Sequence, residues 1–106
     1  MAKFLAKAKY TAEGVKGVMK EGGSARVAAV TKLIEGLGGK VEAFYFAYGD
    51  CDAYIITDLA DEAAGLALSL AVNASGSVTL DMVPLITPQQ MDAATKKSVG
   101  YRAPGA

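Results

Sequence analysis

The chain has no histidine and no tryptophan, and its only cysteine is Cys51. Without an imidazole, the protomer alone cannot supply a His-ligated haem or zinc, a Ser-His-Asp triad or a Cys-His pair. It also lacks a side chain that titrates near neutrality without help. One thiol cannot close an internal disulfide, which fits a reducing compartment, and the expected location is the cytoplasm. No apolar run is long enough to span a bilayer, and Met1 to Lys7 holds no apolar core of signal-peptide length. A charge surplus is missing as well. Eleven bases balance eleven acids, which argues against nucleic acid as a partner, because phosphates call for a basic excess.

What remains is a chain of 106 residues, sized for one domain with a modest core. Apolar residues make up 52 % and charged residues 21 %, with a mean hydropathy of +0.26. That apolar surplus suggests a surface buried between subunits. Lys3 to Tyr10 alternates, with Phe4, Ala6, Ala8 and Tyr10 on one side and Lys3, Leu5, Lys7 and Lys9 on the other. This is the period of a half-buried strand. Thr11 to Gly17 reads as a turn or one loose helical turn, since Gly14 and Gly17 weaken regular structure. Ser24 then resembles an N-cap, and Val27, Val30, Leu33, Ile34 and Leu37 follow at helical spacing up to Gly38-Gly39.

Two strands come next, joined by a tight turn expected at Gly49-Asp50. In the first, Phe44, Phe46 and Tyr48 share one face, and Val41, Ala43, Tyr45 and Ala47 the other. Asp61 caps a second helix whose buried stripe is expected to be Ala63, Leu66, Ala67 and Leu70. Val78, Leu80 and Met82 alternate with Thr79 and Asp81 in a fourth strand. Thr87-Pro88-Gln89-Gln90 is a capping box opening a short helix to about Lys97, before an irregular tail over 98–106. The order is βαββαβ plus a terminal helix: an α+β, ferredoxin-like antiparallel sheet with helices on one face. Its bare face is expected to hold Leu5, Lys7, Lys9, Tyr54 or Ile55, Thr79 and Asp81. A bulge in the hairpin would exchange Tyr54 and Ile55. Two such faces packed together would form a dimeric α+β barrel with a cavity.

Four segments carry a resemblance: Tyr10-Thr11 with Gly14, Gly38 to Tyr45, Gly49-Asp50-Cys51-Asp52, and Asp61 with the Ala-Leu-Ala helix. Together with the Ala74 to Val78 turn they resemble the GYD-domain family over about residues 3 to 97. The family motif reads Gly-x-Tyr-Asp. Gly49 and Asp52 match it, and Cys51 stands where the family has its aromatic residue. The resemblance implies a single domain over 1–97 in the dimeric α+β barrel group, most of whose GYD members have no assigned function. Related barrels include cofactor-free monooxygenases, isomerases and haem enzymes, and the haem branch has no axial His here. Fold alone says little about chemistry.

The residues offer several candidates. Asp50, Asp52, Asp58, Asp61 and Glu62 form an acidic run, but its spacing fits no calcium loop, and turns and caps account for two of them. No metal site is expected. Cys51, flanked by Asp50 and Asp52, lacks the cationic setting of a reactive thiol. Lys7, Lys9 and Asp81 share the face expected to meet a partner subunit. They either pair there or line a polar cavity for an anion. Tyr10, Tyr45, Tyr48 and Tyr54 suit pocket walls and subunit interfaces alike. Arg26, and Arg102 in the tail, offer forks for a carboxylate. The expected ligand-binding set is therefore Lys7, Lys9, Tyr10, Arg26, Tyr45, Tyr48, Tyr54 and Asp81, with no cofactor. Two functions fit it: a homo-oligomeric module that binds a small molecule or is purely structural, and a cofactor-independent oxygenase or isomerase acting on a small aromatic or acidic metabolite. A third, docking on a larger complex, requires a further exposed apolar patch.

Overall fold

The alternation at the start of the chain becomes strand β1 (Ala2–Tyr10), whose Phe4, Ala6 and Ala8 are buried. All 106 residues are described by a computed structural model. Strands β2 (Lys40–Phe46), β3 (Ala53–Leu59) and β4 (Val78–Leu85) complete one sheet in the order β2-β3-β1-β4. All three pairings are antiparallel, giving the expected α+β, ferredoxin-like topology. Pro84 is tolerated because β4 is an edge strand and loses no ladder bond on its outer side.

Between β1 and β2 the chain forms two helices, α1 (Ala12–Glu21) and α2 (Gly23–Gly36), where a loose turn and one helix were expected. Thr11 decides this. Its hydroxyl accepts the Gly14 N–H at 3.3 Å and donates to the Ser77 carbonyl at 3.2 Å, so the N-cap also anchors α1 to the start of β4. Gly14 belongs to that anchor: a Cβ there would lie 2.1 Å from the Ser77 oxygen. Gly22, at φ +87°, turns the chain from α1 into α2 and is the N-cap of α2, so Ser24 lies inside the helix and caps nothing.

Two expectations about side-chain faces are corrected. A bulge between Val41 and Ala43 puts Val41 opposite Thr57, on the same face as Phe44 and Phe46, while Ala43 and Tyr45 stay on the other. Tyr48 lies beyond β2 altogether. Helix α3 (Glu62–Ala74), capped by Asp61 at 2.8 Å from the Ala64 N–H, buries Gly65 and Leu68. Leu66 and Leu70, from the expected stripe, are 62 % and 64 % exposed. Apolar residues run all round this helix, so periodicity could not choose its inner face. The choice falls to Gly65, which admits the ring of Phe4 to 2.7 Å from where a Cβ would stand.

Helices α2 and α3 cover the face carrying Phe4, Ala6, Ala8, Ile55, Thr57 and Leu59, where Ile34 and Leu68 complete the core. The opposite face has no helical cover. Its centre is an apolar row running in register across all four strands, Ala43–Ile56–Leu5–Val83. Helix α4 (Pro88–Thr95) has the expected capping box, the Thr87 hydroxyl accepting from Gln90 N–H at 3.1 Å, yet buries none of its residues.

Candidate functional site

The buried phase of β3 reads Ala53, Ile55, Thr57, Leu59, and its one polar member is 0 % exposed. Thr57 Oγ1 has no hydrogen-bond partner. It lies on the wall of a cavity of about 50 Å³ between the sheet and helices α2 and α3. Twelve of the fourteen lining residues are hydrophobic, including Ala6, Ala8, Val30, Ile55, Leu68 and Val72. That is room for a few water-sized groups and no more. An apolar wall with few polar groups is the usual build of a ligand pocket.

Arg26 lines the same cavity from the first turn of α2, and its buried Nε likewise has no partner. The side chain makes no ion pair in the chain, whose only salt bridges join Lys3 to Glu42 and Asp58. Tyr10 stands beside it. Arg26, Tyr10 and Val78 also line a second, outer chamber of about 160 Å³, bounded by Glu13, Gly14, Gly17, Glu21 and Ser77. The three shared residues form the division between an apolar inner chamber and a polar outer one.

Tyr10 is held in place by the hairpin loop. Six residues, 47–52, connect β2 and β3 where a tight turn was expected, closed by the Ala47 N–H donating to the Asp52 carbonyl at 2.8 Å. The loop folds back onto the end of β1. Asp52 Oδ2 accepts the Tyr10 N–H at 2.8 Å, and the Asp52 N–H donates to the Ala8 carbonyl at 2.8 Å. Cys51, buried, places its Sγ 3.1 Å from the carbonyls of Ala8 and Ala53. Loop 47–52 thus acts as a clamp on the strand end that carries Tyr10.

Of the expected ligand-binding residues, only Tyr10 and Arg26 reach this cavity. Tyr45, Tyr54, Lys7 and Asp81 occupy one cross-strand row on the open face, Tyr45 opposite Tyr54, Tyr54 opposite Lys7, and Lys7 opposite Asp81. Lys9 sits beside that row, opposite Thr79. The parity of β3 is therefore Tyr54 on the open face and Ile55 in the core. Lys7 and Asp81, though opposed, form no salt bridge within the chain. Tyr48 is fully exposed in the loop. The acidic run disperses: Asp61 caps α3, Asp52 holds Tyr10, and Asp58 pairs with Lys3 at 3.0 Å. Glu42 is the leading cause, ahead of Asp58, of the rise of the Lys3 pKa above its ordinary 10.5.

Thr57 was missed from sequence, as were Glu13 and Glu21. The signal for Thr57 was present, as a lone hydroxyl in the apolar phase of a strand. Glu13 and Glu21 gave none, because their place depends on α1.

No curated protein and no solved structure matches the chain. The family model described as GYD domain matches residues 4–95, from the buried Phe4 to the last residue of α4. With Gly49 and Asp52 in the clamp and this match over most of its length, the chain belongs to the GYD domain family.

Proposed function

We propose that the protein is a homo-oligomeric module that binds a small molecule in the cavity beneath α2 and α3. One observation carries the reading: Thr57 Oγ1 and Arg26 Nε, both buried and unpartnered, line the same apolar cavity. An orphaned buried polar atom costs about 1–3 kcal/mol, and more when charged. Two in one place describe a site built for a group that brings its own hydrogen-bonding atoms. The open sheet face supports the oligomer. Its row Ala43–Ile56–Leu5–Val83 is the sort of contiguous apolar surface that a second sheet covers. The cytoplasm is the compartment this reading assigns, supported by the single free cysteine. No helix is long and apolar enough to cross a membrane.

Native mass spectrometry of protein purified without additives tests both halves. The expected species is a dimer or higher oligomer that gains mass when small organic molecules are offered. Leu5→Lys, at the middle of the apolar row, is expected to give monomer. A wild-type monomer would overturn the oligomer.

The row Tyr45–Tyr54–Lys7–Asp81 favours a second reading. Between two facing sheets these residues would line an enclosed polar space, as a cofactor-independent oxygenase or isomerase requires. Turnover of a small aromatic or acidic probe by the oligomer, lost in Lys7→Ala, would support it. Turnover unchanged in that variant, or none by the wild type, would count against it.

A further inference from the structure

We propose that the cavity takes a small monocarboxylate with a short apolar body, its carboxylate held by Arg26, and that Glu13 and Glu21 turn dianions away. This rests on the binding reading above and names the ligand class. Arg26 is the only cationic residue on the wall of either chamber. It is free of internal partners, with no hydrogen bond from its side chain and no ion pair. A guanidinium withdrawn in part from water is stable when paired, and its planar fork matches a carboxylate in two parallel hydrogen bonds. The backbone adds to the attraction. The N-cap of α2 is Gly22, which offers no side-chain oxygen, and the first turn contains no acid. No side chain of the N-cap or first turn offsets the positive end of that helix, where Arg26 is presented.

The two chambers divide the ligand. Inward of Arg26 the wall is apolar apart from the Thr57 hydroxyl, so the body must be hydrocarbon with at most one weakly polar atom. A volume of about 50 Å³ keeps that body short. Outward, Glu13 and Glu21 place two negative charges against the single cation. A second carboxylate, or a phosphate with its higher charge, would meet net repulsion there.

The test is a methyl NMR titration of the full chain, following Val30, Ile55, Leu68 and Val72. Its probes are isovalerate, the neutral isovaleramide and the dianion methylsuccinate. Isovalerate is expected to shift these methyls and to bind at least about tenfold tighter than either comparator. Arg26→Gln should remove that advantage, so that isovalerate binds no tighter than isovaleramide, and native methyl dispersion of the ligand-free variant serves as the folding control. Glu13→Gln with Glu21→Gln should tighten methylsuccinate several-fold. Isovaleramide binding as tightly as isovalerate, or an Arg26→Gln variant that keeps the preference, would overturn the carboxylate class while the binding reading stands. A double glutamate variant indifferent to methylsuccinate would overturn the exclusion of dianions. If no probe moves the four methyls, the cavity is not a binding site, and both readings fall.

Discussion

Asp52 accepts the backbone N–H of Tyr10 at 2.8 Å, joining the hairpin loop to a strand end 42 residues earlier in the chain. An ionised acceptor makes this one of the stronger hydrogen bonds, worth about 1.5–3 kcal/mol. Asp52→Ala is expected to lower stability by that amount, read from urea midpoints. Because the bond aligns Tyr10 at the division of the two chambers, the same variant should also weaken ligand binding. Asp52→Asn, which keeps an acceptor oxygen, should lose less of both. Equal losses in the two variants would mean that the charge, and not the oxygen, is what the loop needs.

Thr57 gives a prediction of opposite sign. Its hydroxyl is buried without a partner, so Thr57→Val removes a desolvated polar atom and keeps the shape. Stability should rise by about 1–3 kcal/mol, measured as a higher denaturation midpoint. Such a gain, paired with weaker binding of polar probes, is the signature of a residue retained for a ligand. A loss of stability would show that the hydroxyl has a partner in solution, such as a bound water.

Two glycines of α1 should respond in opposite directions to the same change. A Cβ at Gly14 would meet the Ser77 carbonyl at 2.1 Å, whereas at Gly17 it meets nothing within 4 Å. Gly17→Ala should stabilise by up to ~1 kcal/mol through helix propensity alone. Gly14→Ala must push α1 off β4, and a net loss of about 1–3 kcal/mol is expected, as for an overpacked contact. Thermal melts of the two variants check this. Matching signs would mean that α1 is not seated on Ser77.

The Lys3 cluster predicts an alkaline dependence. Its pKa is raised above 10.5, first by the hydrogen bond it donates to Glu42 and second by the one it donates to Asp58. A raised lysine pKa contributes stability that is fully present below the unfolded value and disappears as pH climbs through the folded one. The stability difference between the wild type and Lys3→Met should therefore hold steady up to about pH 10 and shrink above it. A difference that instead vanished on acidification alone would place the effect on the carboxylates.

The order of elements was legible because each carried a local mark: alternation in β1 and β4, Asp61 and Thr87 as caps, and Gly38 at φ +76° as the stop after α2. What escaped depended on contacts distant in sequence. Gly14 and Gly17 argue against a helix locally, and only Ser77, more than sixty residues away, explains why one forms. The bulge at Val41 and the inner face of α3 were set by cross-strand register and by Phe4, neither visible to a single-segment pattern. For the site, Tyr10 and Arg26 were named from residue type alone. Their meeting around Thr57 needed the sheet order, which brings β1, β3 and β4 under α2 and α3.

The central place of β1 has a consequence for how the protein is made. Within this domain β1 is synthesised before both segments it pairs with, residues 53–59 on one side and residues 78–85 on the other. Until those segments emerge, both of its edges stay open, with Phe4, Leu5 and Tyr10 available to any other nascent chain. Lys3, Lys7 and Lys9 are spaced along this same strand. Lysines on an unpaired edge repel their copies in a neighbouring chain and hold off the wrong pairing. These three charges, which flank Leu5 on the open face of the finished sheet, would guard the strand during the interval in which it waits for its partners.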